Sequence, residues 1–356
     1  MRDYFKYFDK FTFVLLLLLV VIGIFLIFST GHSTHETYYL KQAAWMFFSL
    51  LVFFAVFSLK IDFVFRKAFA VYLALLVILA LQIAIGGTIA RTRSWFRLWG
   101  IGLQFSEFVK IPLALYLAKM LTEFETIGAK TFAKIIVILL VPMALIVLQP
   151  DMGVSFMLCA FIPLVILLKK IKPAVLVVSV LMLALCGITG WYTVLKPYQK
   201  DRIVAFLNPT KYKTSTGYHV IQSKIAIGAG GLAGKGYMRG SQSKYQFLPA
   251  RHTDFIVSVI GEEFGFVFTS ILFFIYFLVF YRQFRFNFRN DEEFYFVYLF
   301  NGIILFQFLV NVFMAIGFFP VLGISLPFVS YGGSSLLSLF VGEAVIFRIK
   351  INNFLP

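Results

Sequence analysis

The chain has 356 residues, of which 61% are hydrophobic, 19% aromatic and only 13% charged, and its formal net charge is +16. A water-soluble domain carries about 25% charged residues, so a soluble enzyme is excluded. The cations are scattered through short loops, with no basic domain to bind nucleic acid.

Apolar windows of about 16 to 25 residues recur, each long enough to cross roughly 30 Å of hydrocarbon as helix. Barrel strands would be half that length and would alternate. The expected class is an all-α polytopic membrane protein with ten transmembrane helices, at about 11–29, 38–59, 68–85, 105–120, 133–148, 152–168, 174–195, 256–281, 294–317 and 328–349. The first follows a basic start as a signal peptide does. Ser29-Thr30-Gly31-His32 offers no cleavage site, so it reads as a retained span. The fifth and sixth are separated by little more than Gln149-Pro150-Asp151, a hairpin tip. Cys159 and Cys186 lie inside apolar stretches and read as packing residues that say nothing about redox compartment.

Lys and Arg crowd the short loops on one side, among them Lys6, Lys60, Arg66, Lys119, Lys130, Lys169, Lys170, Lys172, Arg282 and Lys350. The 30–37, 149–151 and 318–327 loops on the other side have none. The positive-inside rule puts both termini in the cytoplasm and the long 196–254 interval outside. Two external segments then run against the rule: 86–104, with Arg91, Arg93 and Arg97, and 196–254, with ten Lys or Arg. Attraction to an anionic headgroup is the obvious reason for cations there.

Glu107 and Lys110, three apart at the start of the fourth span, share a face. They read either as an ion pair locking the bundle or as the lining of a polar cavity beneath the external loops. Asp151 stands where a carboxylate caps a helix. Glu262 lies near the face of Asp254, and Glu263 points about a hundred degrees away. The run Gly228, Gly230, Gly231, Gly234, Gly236 fails the Walker pattern, because Lys235 is followed by Gly236 and no strand precedes it. It reads as a flexible or tightly turned loop over the site, re-entrant through Val220 to Ile227. His32, His35 and Glu36 do not form a zinc-hydrolase motif. Near the end, Gly332 and Gly333 allow close helix approach, and Ser334 and Ser335 can satisfy freed backbone groups.

Four landmarks in order carry a resemblance that spans the chain. They are Arg93-Ser94-Trp95-Phe96-Arg97 with Gln104-Phe105-Ser106-Glu107 and Lys110; Gln149-Pro150-Asp151-Met152-Gly153; Leu248-Pro249-Ala250-Arg251-His252-Thr253-Asp254; and Leu326-Pro327-Phe328-Val329-Ser330-Tyr331-Gly332-Gly333-Ser334. Together they resemble the SEDS family (shape, elongation, division and sporulation), and its rod-shape branch most closely. Phe105, Ala250 and Ser325 depart from the family pattern and bear on local loop shape only.

The resemblance implies one SEDS-type domain over 1–356, capped by 196–254, in the bacterial cytoplasmic membrane. It implies a peptidoglycan glycosyltransferase that polymerises lipid II into a lipid-linked glycan with release of undecaprenyl diphosphate. The expected partners are a monofunctional class B penicillin-binding protein and other elongation-complex membrane proteins. The family's catalytic acid falls on Asp254, its embedded pair on Glu107 and Lys110, and its Pro-Asp-x-Gly acid on Asp151. Arg93, Arg97, Lys244, Arg251, His252 and Ser334 are the residues expected at the substrate. No cofactor is required; a divalent cation, magnesium or manganese, held by Asp151 or Glu107 stays open. A lipid II flippase and a non-catalytic scaffold stand as alternatives. The massing of cations and glycines on one side speaks against the flippase, and charges at membrane depth speak against the scaffold.

Overall fold

The computed structural model describes residues 6–32, 36–85, 87–89, 92–98, 101–178, 181, 192, 196–207, 216–248 and 250–354. Its helices, in chain order, are α1 (Lys10–His32), α2 (Tyr38–Phe57), α3 (Ile61–Ile85), α4 (Lys110–Thr122), α5 (Ala129–Leu148), α6 (Met152–Cys159), α7 (Phe161–Leu168), α8 (Pro197–Leu207), α9 (Thr216–Gly230), α10 (Ser241–Lys244), α11 (Ile256–Phe284), α12 (Asp291–Ile316) and α13 (Gly333–Asn352). Among the described residues six helices are long and apolar enough to cross a membrane: α1, α2, α3, α5, α11 and α12. The third starts at Ile61, earlier than predicted, carrying Asp62, Arg66 and Lys67 on its first turns. The fourth predicted span is a 3-10 turn, Phe105–Phe108, running into the short α4. The sixth is interrupted at Ala160, and most of the seventh lies outside the described residues.

The 86–104 stretch, expected as loop, contains an antiparallel meander of β1 (Gly87–Ile89), β2 (Thr92–Leu98) and β3 (Ile101–Leu103). Thr126–Ile127 (β4) pairs in parallel with Lys170–Ile171 (β5) at the opposite end of the bundle.

Inside hydrocarbon, helices gain nothing by hiding apolar surface from one another, so close packing must hold them. The chain does this with rings set against small residues. Phe53 of α2 stacks edge-on to Phe340 and Phe347 of α13, at 6.2 and 5.5 Å. A side chain at Gly342 would overlap the Phe300 ring of α12, and one at Gly333 the Trp45 indole. At the end bearing the chain termini, Asp9 caps α1 by accepting from Thr12 N (3.1 Å) and Thr12 Oγ1 (2.7 Å). It also pairs with Lys350 at 2.8 Å and Arg282 at 3.0 Å, tying α1 to α13 and α11.

The glycine run has a definite task. At Gly265 (φ 71°, ψ −171°) α11 is broken. An unbroken helix would bond Phe266 N to Glu262 O and Val267 N to Glu263 O. Instead Glu262 O and Glu263 O accept from Lys235 N and Gly236 N, both at 2.9 Å. Phe266 N and Val267 N donate to Gly231 O (2.9 Å) and Leu232 O (3.1 Å). The loop is spliced into the helix ladder, and every group the break frees finds a partner. Only glycine fits where the backbones meet: a Cβ on Gly230 or Gly234 would overlap the carbonyl of Gly261 or Glu263. Of the two expectations for this run, flexible or tightly turned, the structure shows the second. Below the break, Phe266–Phe284 is about 28 Å of helix at 1.5 Å per residue, matching a hydrocarbon core. Its lipid-facing residues begin at Phe266, whereas Ile256 to Glu263 are all buried in protein.

Candidate functional site

Asp254 sits on the turn that leads into α11, half-buried. The turn is pinned from the α12–α13 connection. Ser330 Oγ donates to Thr253 O (2.6 Å) and Tyr331 N to His252 O (2.8 Å). Asn311 Nδ2 bridges Asp254 O (2.9 Å) and Ile324 O (2.6 Å). Beneath it Val220, Leu248, Phe255, Val259 and Val321 form a small apolar cluster. Burial pushes the Asp254 carboxyl above its usual range, against the Thr253 side-chain hydrogen bond and the positive charge of Arg202. A carboxylate so raised is a better proton acceptor than a free one.

The polar residues of the other landmarks meet in one cluster. Ser334 Oγ, at the start of α13, accepts from Gln104 N at 2.9 Å. The Gln104 side-chain amide donates to Asp151, and Asp151 caps α6 by accepting from Val154 N at 3.4 Å. Glu107 and Lys110 form a buried ion pair at 2.8 Å. Burial, reinforced by the charge of Glu107, pushes Asp151 up to about 6, against hydrogen bonds from Val154, Gln104 and Ser106. Gly153 and Gly323 join the two groups. A Cβ on Gly153 would meet the carbonyls of Leu322 and Gly323 at 2.9 and 3.1 Å, and one on Gly323 would come within 3.6 Å of Asp254 Oδ2. Asp254 and the start of α6 thus both border Gly323.

The remaining predicted residues are spread more widely. Arg93 and Arg97 fall in β2, and their side chains lie outside the described residues. Arg251 is buried and donates to Thr30 O (2.9 Å) and to Glu36 (3.3 Å), fastening the α1–α2 turn. His252 stacks on Tyr38 with ring centroids 4.6 Å apart and meets Tyr331 at 5.8 Å. Burial lowers its pKa, with Glu36 opposing and Arg251 adding to the shift. Lys244 lies in the lining of a different cavity. Glu262, expected near the Asp254 face, turns to the loop, accepting from Lys235 Nζ (2.7 Å), Ser241 Oγ (2.9 Å) and Gln242 N (3.1 Å).

Sequence reasoning missed Arg202 and Asn311, and gave no role to Gln104 although it stands in the first landmark. Arg202 was counted only as one loop cation among ten, and Asn311 sits in an apolar span, where an uncharged amide is easily passed over. A resident divalent cation does not fit the Asp151–Glu107 region. The Asp151 oxygens are occupied by Gln104 and Val154, and the Lys110 ammonium stands against Glu107. No group of three metal-ligating side chains occurs among the described residues.

A family model described as "Cell cycle protein" and named for FtsW, RodA and SpoVE matches residues 9–354. The peptidoglycan glycosyltransferase MrdB of Escherichia coli K12 is 34% identical over 282 residues, covering 78% of this chain and 76% of that protein. The peptidoglycan glycosyltransferase RodA of Treponema pallidum is 31% identical, covering 96% and 97%. Among solved structures, a chain from a peptidoglycan synthase complex that coordinates polymerisation and crosslinking superposes with TM-score 0.82 at 29% identity, over 98% of this chain and 99% of that one. RodA of Thermus thermophilus gives TM-score 0.71 at 27% identity, covering 98% of each. Landmarks far apart in the chain thus meet, Ser334 with Gln104 and Gln104 with Asp151, and with a family match running almost end to end, this chain belongs to the FtsW/RodA/SpoVE cell cycle proteins, the SEDS family.

Proposed function

We infer that this protein is a peptidoglycan glycosyltransferase that polymerises lipid II for cell elongation and rod shape. The observation that carries the catalytic assignment is Asp254: half-buried, raised in pKa, and fixed through its backbone by Asn311 and the Ser330 loop. The acceptor's GlcNAc 4-hydroxyl attacks the anomeric carbon of the donor MurNAc and Asp254 takes the hydroxyl proton. The bond to the diphosphate breaks as the glycosidic bond forms, inverting α to β. The lipid diphosphate leaves as an anion, so the step needs one base and positive charge at the leaving group, with no covalent nucleophile. Arg202, beside Asp254, joins Arg93 and Arg97 as candidates for that charge. The Ser334–Gln104–Asp151 chain and the Glu107–Lys110 pair hold the floor of the site.

The protein is placed in the bacterial cytoplasmic membrane with both termini inside and ten spans, the other four being 105–122, 152–168, 174–195 and 333–352. The run of cations at the ends of α3, α4, α7, α11 and α13 supports that orientation. The likeness to a chain of a peptidoglycan synthase complex supports a transpeptidase partner of the class B penicillin-binding type. The test is polymerisation of purified lipid II in detergent by native protein and by Asp254→Asn. The variant is expected to give no polymer while still binding its partner; polymer at the native rate would remove Asp254 from the base's role.

A further inference from the structure

The spliced glycine loop does more than mend a helix. Between α1 and α11 it encloses a cavity of about 350 Å³, lined in part by Ser29, His32, Tyr237, Arg239, Lys244 and Glu263. Asp254 faces the α12–α13 connection instead, so the two places are distinct. The cavity's floor is Glu263, only 1% exposed. Its carboxylate accepts from Ser29 Oγ at 2.6 and 2.8 Å and from the backbone N–H groups of Met238 and Gly240. A buried carboxylate with that many donors has its hydrogen-bonding capacity met. The rim carries the cations Arg239 and Lys244, both exposed, and His32 beside them is exposed as well.

The loop that carries these cations is held at several points. Besides the splice, Arg239 N bonds Gly236 O (3.1 Å), Lys244 N bonds Gly240 O (3.0 Å), and Lys235 is held by Glu262 (2.7 Å). Arg239 and Lys244 give the site two cationic donors for an anion. Its depth selects the kind of anion. Tyr237 donates to Phe25 O at 2.9 Å; Phe25, and Phe266 three residues beyond Glu263 on α11, are 61% and 67% exposed. A cationic cavity set against apolar surface at the edge of the hydrocarbon suits a phosphate carried on a lipid chain.

We propose that this cavity binds the phosphate of a membrane lipid, with Arg239 and Lys244 as its ligands and the lipid's chain lying along Phe25 and Phe266. The proposal does not depend on the glycosyltransferase reading. It is therefore tested in the Asp254→Asn protein, where turnover plays no part. The purified protein in neutral detergent is titrated with phosphatidylglycerol, undecaprenyl phosphate, phosphatidylcholine and inorganic phosphate, with the shift in unfolding temperature as readout. The first or second should raise the midpoint saturably. Adding R239Q and K244Q should weaken that half-saturation by about a hundredfold or more, the loss of two charged hydrogen bonds to an anion. A charge-matched control, Lys41→Gln with Lys224→Gln, should not.

The lipid with the lower half-saturation identifies the source of the phosphate. An equal shift with inorganic phosphate would overturn the lipid assignment. An equal shift with phosphatidylcholine, or undiminished binding in the R239Q/K244Q protein, would overturn the site. Native mass spectrometry of retained lipid reads the same comparison independently of thermal stability.

Discussion

Substituting glycines one at a time tests the splice into α11, because three of them sit in different surroundings. At Gly234 the backbone is left-handed (φ 79°), and a Cβ would overlap the Glu263 carbonyl and the Phe264 backbone. Alanine there carries about 1–2 kcal/mol of backbone strain. It also pushes the loop off the helix break, loosening the bonds from Lys235 N and Gly236 N to Glu262 and Glu263. Each such bond is worth about 1 kcal/mol, and up to about 3 kcal/mol if the carbonyl is left buried and bare. The total for Gly234→Ala is then about 3–8 kcal/mol. At Gly231 φ is again positive (55°), yet nothing lies within 4 Å of a Cβ. Gly231→Ala should lose the backbone share alone. At Gly228, inside α9 with open space around it, alanine should be neutral or stabilise by up to about 1 kcal/mol. Apparent unfolding midpoints in detergent should fall in the order Gly228→Ala, Gly231→Ala, Gly234→Ala. Hydrogen exchange should quicken at 232–236 and 262–267 in the last variant only. Equal losses at Gly231 and Gly234, or a native midpoint for Gly234→Ala, would refute the splice as a source of stability.

Glu107→Gln and Lys110→Met should each cost several kcal/mol, because each leaves a buried charge without its partner. The double change should cost less than their sum, and strictly additive midpoint losses in a double-mutant cycle would mean the 2.8 Å pair carries no coupling. Asp9 is more than a surface charge. Burial alone would raise its pKa, but the Lys350 ammonium and hydrogen bonds from Lys350 and Thr12 outweigh that and hold it at about 2, against the usual 3.8. A depressed folded pKa means the stabilisation is complete above the unfolded value and is lost as pH falls through 2. It amounts to about 2 kcal/mol, and Asp9→Asn should flatten the native loss of stability over that acid window. Asp151 has the opposite sign. Its raised value, about 6, favours the folded protein below the unfolded value, and that gain is lost as pH rises through 6. Asp151→Asn, which keeps an N-cap residue, should remove this dependence; an unchanged midpoint-against-pH curve would contradict the burial of the carboxyl.

The sequence made the long apolar helices legible because their signal is length, which bilayer thickness sets directly. The landmark residues were also legible, and Ser334, Asp151 and Glu107 do meet through Gln104 although they lie far apart in the chain. The small sheet in 86–104 was hidden because its strands are three to seven residues long and its register departs from strict pairing between Gly87 and Ile89. The setting of Arg251 was not legible for a physical reason. A cation beside a candidate catalytic acid suggests a substrate contact, and nothing local shows that it also binds Glu36 and Thr30, a contact that depends on a turn more than two hundred residues away.

The break at Gly265 was hidden for a different reason, and it bears most on where the chemistry stands. Glycine is common in membrane helices, so the apolar pattern read straight through it from residue 256. A continuous 29-residue α11 would be about 43 Å long, far more than hydrocarbon requires, and would leave the depth of Asp254 undefined. The break divides it. The lower 19 residues match the membrane, and the upper turns belong to the protein cap with α9 and the glycine loop packed against them. Asp254 therefore stands above the hydrocarbon edge, and Glu263 lies at that edge. A headgroup-level step suits the first position, and a lipid phosphate suits the second. Both placements rest on the same spliced break, so the glycine series tests the frame that holds the two sites at their separate depths.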